Sequence, residues 1–599
     1  MIYHCEDRTC NYWDEGEKLP ERCPQCGRKL LRANEADMTG DDWTALGNTL
    51  WDAEASDKKR MVDCFRKAAY LGSAWGVCNL GICMEQGNGV EADPVQAFWL
   101  YQQAVEMGSL NAVCCLGVCY QYGIGTAPDA KQAAELYRKA AEYGSPRGQM
   151  LLARAFHDGI GVEADAAEAV YWVRAAAYQR YGEGMYRLGV CYEYGDGVEQ
   201  NWERAVHWFR EAAESGVSAA MTDLGYCYEK GCGVEQSWEQ AFSWYRRGAE
   251  CGDPVSMCNL GLCYQMGYGV EQNWQEAIKW YEQGAQCGDL QCMHNLACCY
   301  ERGEGVEQNE DRAFYWYRRS AEGGNGSAMC NLGRCYKRGY GVEQNWQEAV
   351  KWYEQGAQCG NLQSMHNLAC CYERGEGVEQ NMTEAIRWYT AAAEGGNADD
   401  MYNLGWQYDH GEGVEQDMKK AICWYERAAE QNHPAAMNSL GECYAMGQGV
   451  PRDLETAMEW YRRAAELGEA MADYNMGWHL EQAGKLSEAY AHYRKAADGN
   501  DDSAWWALGR FYENGVVVAQ DGKEARRCYE TGEKLGSVKC KMRLARCRLL
   551  GIGGRRAKKA GLDLCRQALE LAKESSEKED YGYEAEMNLL RRTIAENES

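Results

Sequence analysis

The stretch Asp253 to Gly288, DPVSMCNLGLCYQMGYGVEQNWQEAIKWYEQGAQCG, is one copy of a pattern that recurs fifteen times between Leu46 and Leu544. From Leu80 to Met476 the copies follow in eleven steps of 36 residues. Fixed periods of roughly 20 to 50 residues mark stacked repeats, each burying its apolar face only against its neighbours. Inside the copy, Met257, Leu260, Cys263 and Tyr264 recur at helical spacing and give a first helix, A, one apolar face. Gly261 lets a neighbouring helix approach; Gly267 and Gly269 stop helix A, with Val270 turned back as an apolar plug. Asn273 then caps a second helix, B, and Glu276 is expected to return the bond in a capping box, as are Glu348 to Asn345 and Glu384 to Asn381. Ala277, Trp280, Tyr281 and Gly284 form the apolar stripe of helix B, and Gly288 closes it. An all-α, α/α solenoid follows.

The order A-x-x-N-L-G-x-x-Y-x-x-G-x-G-V, a polar cap, then A-x-x-W-Y-x-x-A-A-x-x-G resembles the Sel1-like repeat family, relatives of tetratricopeptide repeats, over about residues 41 to 575. The resemblance implies a right-handed superhelix with helix A on its concave side, used to hold proteins rather than to react. Asn or Ser often stands where the family has Asp as the cap. One copy loses its loop at Glu481 to Leu486, and Gly515 to Val518 reads Gly-Val-Val-Val where other copies have G-x-G. The expected division is a head at 1–32, a linker at 33–40, a solenoid of about 15 repeats at 41–575 and a capping helix at 576–599.

The glycine-rich loops do not read as phosphate cradles. Such a cradle occurs once, after a strand, with a Lys-Ser/Thr or G-x-x-G continuation that is missing here. A net charge of −28 argues against nucleic acid as a partner, since phosphate contacts need a cationic face. Glu91, Glu163, Glu199, Glu235, Glu271, Glu307, Glu343, Glu379 and Glu415 follow the loops and read as a solvated acidic edge. The opening MIYHCEDRTC has no apolar core and no stretch nears eighteen apolar residues, so neither a secretion signal nor a membrane span is expected.

Ten of the 31 cysteines, among them Cys83, Cys119, Cys263 and Cys443, sit three residues after the Leu anchor, one helical turn on, as small apolar fillers. Copies of that position should lie too far apart to be bridged. Reduced thiols, a cytoplasmic location and a monomer are expected.

Ahead of the repeats, Cys5 and Cys10 form one pair and Cys23 and Cys26 a C-P-x-C-G knuckle. Four thiolates suit a structural tetrahedral Zn²⁺, with iron as the rival and His4 as a substitute for Cys5. This head looks like a zinc ribbon or a rubredoxin-like unit.

On helix A, Asn259 points about 100° from the core face. The amide recurs as Asn79, Asn295, Asn331, Asn367, Asn403 and Asn475, while the residue three places on varies from Leu262 through Arg334 to Trp406. A constant amide beside changing neighbours suits an extended protein or peptide partner in the concave groove. The same row could instead bond the adjacent repeat.

Residues 270–309 and 342–381 differ only at Ile278/Val350, Asp289/Asn361 and Cys292/Ser364, a duplication that argues against a unique catalytic constellation. No H-E-x-x-H or G-x-S-x-G occurs, and no Cys/His pairing at an informative spacing stands out. The chain reads as a non-enzymatic scaffold. Two rivals are a secreted, cysteine-rich Sel1-like protein acting on β-lactams, and a zinc-dependent nucleic-acid binder using the head and the basic segment Lys539 to Lys559.

Overall fold

The computed structural model describes residues 2–5, 13–15, 30–32, 35–51, 55–578 and 583–598. Near the start, the strand Ile2–Cys5 lies between two antiparallel partners, Trp13–Glu15 and Leu30–Arg32, with His4 opposite Trp13 and Cys5 opposite Leu30. Cys10, Cys23 and Cys26 lie outside the described residues, so the four-cysteine set cannot be read as a site; of Cys5 only the strand is described.

From Gly40 to Lys578, thirty described helices alternate as A and B. Two compact units are present, Met1–Gln308 and Asn309–Ser599. Within each, a B helix packs on the A helix before it and on the A helix after it, so every apolar face finds two partners. A last helix, Glu584–Glu598, packs on Val538–Leu550 and Lys558–Lys578.

The core of most copies is a clasp between glycine and tyrosine. A Cβ placed on Gly261 would come within 2.5 Å of the Tyr281 ring, so the absence of a side chain lets the two helices close. Tyr281 is fully buried, and its Oη donates to Gln265 Oε1 at 2.7 Å. Tyr101 to Glu85, Tyr245 to Glu229 and Tyr529 to Glu513 repeat the bond sixteen residues apart. The B-helix tyrosine thus supplies apolar bulk to the core and satisfies its hydroxyl at the rim.

The caps depart from the expected box. Asn273 Oδ1 accepts from the amides of Gln275 and Glu276, but its own N–H donates to Tyr264 O at 2.8 Å. With that donor already used, Glu276 turns to Lys279 instead. Asn345 and Asn381 follow the same rule, with Glu348 on Lys351 and Glu384 on Arg387. The reciprocal half of the box is missing because the incoming loop is hydrogen-bonded to helix A.

That loop carries a tie that the sequence reading missed. From Glu199 to Glu415, the Gln that follows the loop Glu reaches back seven residues to an orphan carbonyl at the end of helix A: Gln200 to Glu193 O, Gln272 to Gln265 O, Gln380 to Glu373 O. Where G-x-G gives way to Gly-Val-Val-Val, Val517 takes the position of the second glycine with φ +66°, a left-handed conformation that a β-branched residue adopts only under strain.

Candidate functional site

The seven asparagines lie along the A helices, each half-buried, and the amides of four of them point backward along the array. Asn79 Nδ2 donates to Asn48 Oδ1 at 2.8 Å. Asn295 and Asn367 donate to the sulfurs of Cys258 and Cys330, at 3.6 and 3.4 Å. Asn475 donates to Asn438 Oδ1 and Glu442 Oε1. Each reaches the preceding A helix, so the row ties one repeat to the next. Asn259, Asn331 and Asn403 occupy the same register.

The variable position three residues on is more open. Leu262 is 40% exposed and Trp406 37%, the latter stacked on His410 with centroids 4.4 Å apart; Arg334 is half-buried. Earlier in the chain the two registers carry Leu151 with Arg154 and Arg187 with Val190. These four, with Arg147, line a recess between the helices Pro146–Asp158, Ala166–Tyr178 and Gly182–Tyr194. Arg147 is fixed there by Asn111 Oδ1 at 3.0 Å. His157 stands at its edge between Asp158 and Asp196, and the Asp158 carboxylate raises its pKa.

A second set of polar groups meets across repeat boundaries, where the residue two before the Leu anchor faces the cap and third residue of the next A helix. Thr222 Oγ1 bonds Asp253 Oδ2 at 2.8 Å and Ser256 Oγ at 2.5 Å. At the next boundary the same places hold Cys258, Asp289 and Cys292, whose ligating atoms all lie within 4.8 Å of one another. Two thiols and a carboxylate are a donor set for a soft cation, but the duplicated boundary at Cys330, Asn361 and Ser364 serves with hydrogen bonds alone. The hydrogen bond to Cys258 raises the Cys292 thiol, and burial adds to it. Cys78 and Cys115 also touch across a boundary. Cysteines outside the Leu-anchored ladder therefore do meet between copies, which reading one copy at a time could not reveal. The signal available in the sequence was the choice of changes in the duplicated block, two of whose three differences fall at this junction.

Part of the basic segment is spent internally. Arg543 pairs with Glu586 at 2.6 Å and Glu513 at 3.3 Å, Arg546 pairs with Glu513, and Arg556 donates to Asn597. Among the described residues no helix is long and apolar enough to cross a membrane.

Helix pairs of one length, glycine–tyrosine clasps and amides that reach back one repeat define an α/α repeat protein of the short Sel1-like type. The chain belongs to the Sel1 repeat family, which it matches at residues 76–109, 112–145, 146–181, 182–217, 218–253, 254–289, 290–325, 326–361, 362–397, 398–433, 434–469, 470–501 and 504–537. Among solved structures it is similar to c5321, a protective antigen present in uropathogenic Escherichia coli strains displaying an SLR fold. The two are 32% identical, over 75% of this chain and 97% of that one, with a TM-score of 0.53. A Sel1 repeat protein from Oxalobacter formigenes is 28% identical over 52% of this chain and 89% of its own, at a TM-score of 0.40. No curated protein matches the chain in sequence.

Proposed function

We propose that the chain is a non-catalytic scaffold that receives an extended segment of a partner protein along the concave, A-helix face of its repeats. The recess beside Arg147, Arg154 and Arg187 carries the reading, because it opens on the register where side chains change from copy to copy. A surface that keeps its spacing and varies its side chains suits reading a sequence rather than turning over a substrate. In this reading Leu262, Arg334 and Trp406 select the partner's side chains. Asn79, Asn259, Asn295, Asn331, Asn367, Asn403 and Asn475 hold the helices in step and offer their remaining hydrogen-bonding capacity to its backbone. A reducing compartment suits the core thiols, which burial holds protonated, Cys83 up to about 11 and Cys263 up to about 12.

The test starts with a partner recovered by affinity capture. Replacing Asn331, Asn367 and Asn403 together with Ala should weaken binding by about 1.5–4.5 kcal/mol, at roughly 0.5–1.5 kcal/mol per lost hydrogen bond. A triple variant that loses stability while its folded fraction binds at full affinity would make the row purely structural.

The head is assigned a structural Zn²⁺ held by Cys5, Cys10, Cys23 and Cys26, with Fe as the alternative. Four thiolates form a closed ligand shell, and a unit this small gains its folding energy from the metal. Metal analysis of the full chain should find Zn²⁺ that is lost when Cys23 and Cys26 are both changed to Ser; unchanged metal content rejects the assignment.

A further inference from the structure

Cys370 occupies the variable register of Leu262, Arg334 and Trp406, three residues after Asn367 on the helix Leu362–Arg374, and is half-buried. One turn earlier His366 aims Nε2 at its sulfur, 3.6 Å away. The other ring nitrogen, Nδ1, lies 2.6 Å from Oδ1 of Asp400, a fully buried carboxylate on the next A helix, Ala398–His410. From the B helix Met382–Glu394, Tyr389 Oη stands 3.3 Å from the same sulfur and donates to Glu373 Oε2 at 3.0 Å when it is not turned to the thiol. In neighbouring copies the place of Asp400 is held by Ala328, Ser364, Ala436 and Ala472. A carboxylate buried where the repeat usually places a small side chain is costly unless paired, and its partner here is the imidazole.

We propose that Cys370 is a modification site: a thiolate, held ready by His366 and Asp400, that forms a mixed disulfide with a low-molecular-weight disulfide of the glutathione type. The Cys370 sulfur attacks one sulfur of the reagent. A new S–S bond forms, the reagent's own S–S bond breaks, and the departing thiolate keeps that electron pair and takes a proton from the imidazolium. One thiol and one disulfide are consumed and one of each is produced, so no further oxidant is needed.

The surroundings support this state of the sulfur. Burial pushes the Cys370 thiol up, but hydrogen bonds from His366 and Tyr389 together with the charge of His366 leave it below the ordinary thiol value, with Glu373 opposing. Asp400 first, then Cys370, lift His366 to about 10. Acyl transfer is not part of the proposal, since the sulfur sits in mid-helix where the neighbouring backbone N–H groups are committed to the helix and supply no oxyanion hole.

The chain carries its own comparison. His294 and Cys298 repeat the spacing inside the identical run His-Asn-Leu-Ala-Cys-Cys-Tyr-Glu-Arg, with Nε2 and Sγ 3.8 Å apart, but two repeats before Asp400 stands Ala328.

The experiment labels the full chain with iodoacetamide across a pH series and reads Cys370 and Cys298 by peptide mass spectrometry; the two peptides differ at Asn361 against Asp289 and at Ser364 against Cys292. A parallel sample receives oxidised glutathione. Cys370 should be alkylated at least about ten-fold faster than Cys298 near pH 6, the advantage shrinking as pH rises toward the ordinary thiol value. It should also be the first site to carry glutathione. Asp400→Asn should bring its pH profile to that of Cys298. Equal profiles in the unmodified chain, a retained advantage in folded Asp400→Asn, or rapid alkylation without a glutathione adduct would each overturn the proposal. If Asp400→Asn fails to fold, the comparison of Cys370 with Cys298 decides without a variant. Labelling is read on the chain alone, so its outcome is independent of any partner.

Discussion

At the level of single residues, position within the repeat decides what a side chain is for, and exceptions mark where something has been added. Val517 is such an exception, holding φ +66° where its counterparts are glycine. Val517→Gly should therefore stabilise the second unit by about 1 kcal/mol, the order of the cost of the left-handed region for a residue with a Cβ. Comparison of urea midpoints checks this, and a lower midpoint would show that the Val side chain contributes more than its strain. His366 is another. Its folded-state pKa is raised to about 10, so the stability it contributes is fully present below the ordinary histidine value and fades as pH rises through about 10. The stability lost in His366→Gln should be largest near pH 6 and smallest above about pH 10; a difference flat across that range would mean the ring acts by packing alone. Neither residue's special role is visible in its own copy: Val517 reads as a broken motif, and His366 as a duplicate of His294.

At the level of elements, much was legible because the cause is local. Helix A ends where glycine tolerates positive φ, helix B begins at a capping Asn, and the Leu–Gly–Tyr grammar is the clasp seen from outside. The capping box is only half formed, since the sequence shows that Glu276 can reach Asn273 but not that the Asn273 N–H is already bound to Tyr264 O. The Gln tie is hidden for the opposite reason: in Val-Glu-Gln the regular Glu carries the visible charge, while the Gln side chain satisfies the carbonyl at the helix end. Gln272→Ala frees an exposed carbonyl that water can solvate, so the loss should be small, about 0.5–1 kcal/mol. Thermal melting of the single variant measures it, and a much larger loss would mean that the tie also sets the course of the loop.

For the whole molecule, the closure by the last described helix buries a further charge pair. Arg543 and Glu586 are 13% and 8% exposed in their side chains, and Glu586 belongs to the last described helix. Glu586→Ala leaves Arg543 with Glu513 as its remaining carboxylate, so a loss of up to about 3 kcal/mol is expected, below the full cost of an orphaned buried charge. Denaturation followed in the intact chain tests it; no change would show that Glu513 alone suffices. The contrast between bonds within a copy and bonds between copies has a wider consequence. Tyr281 to Gln265 and Gln272 to Gln265 both close inside one copy, whereas Thr222 with Ser256, or His366 with Asp400, close only when the right neighbour follows. A copy moved elsewhere in the chain would keep its shape and lose its match, its histidine set against alanine or its threonine against glycine. The seams thus act as an addressing system: interchangeable parts are given a fixed order by a few polar side chains at their edges.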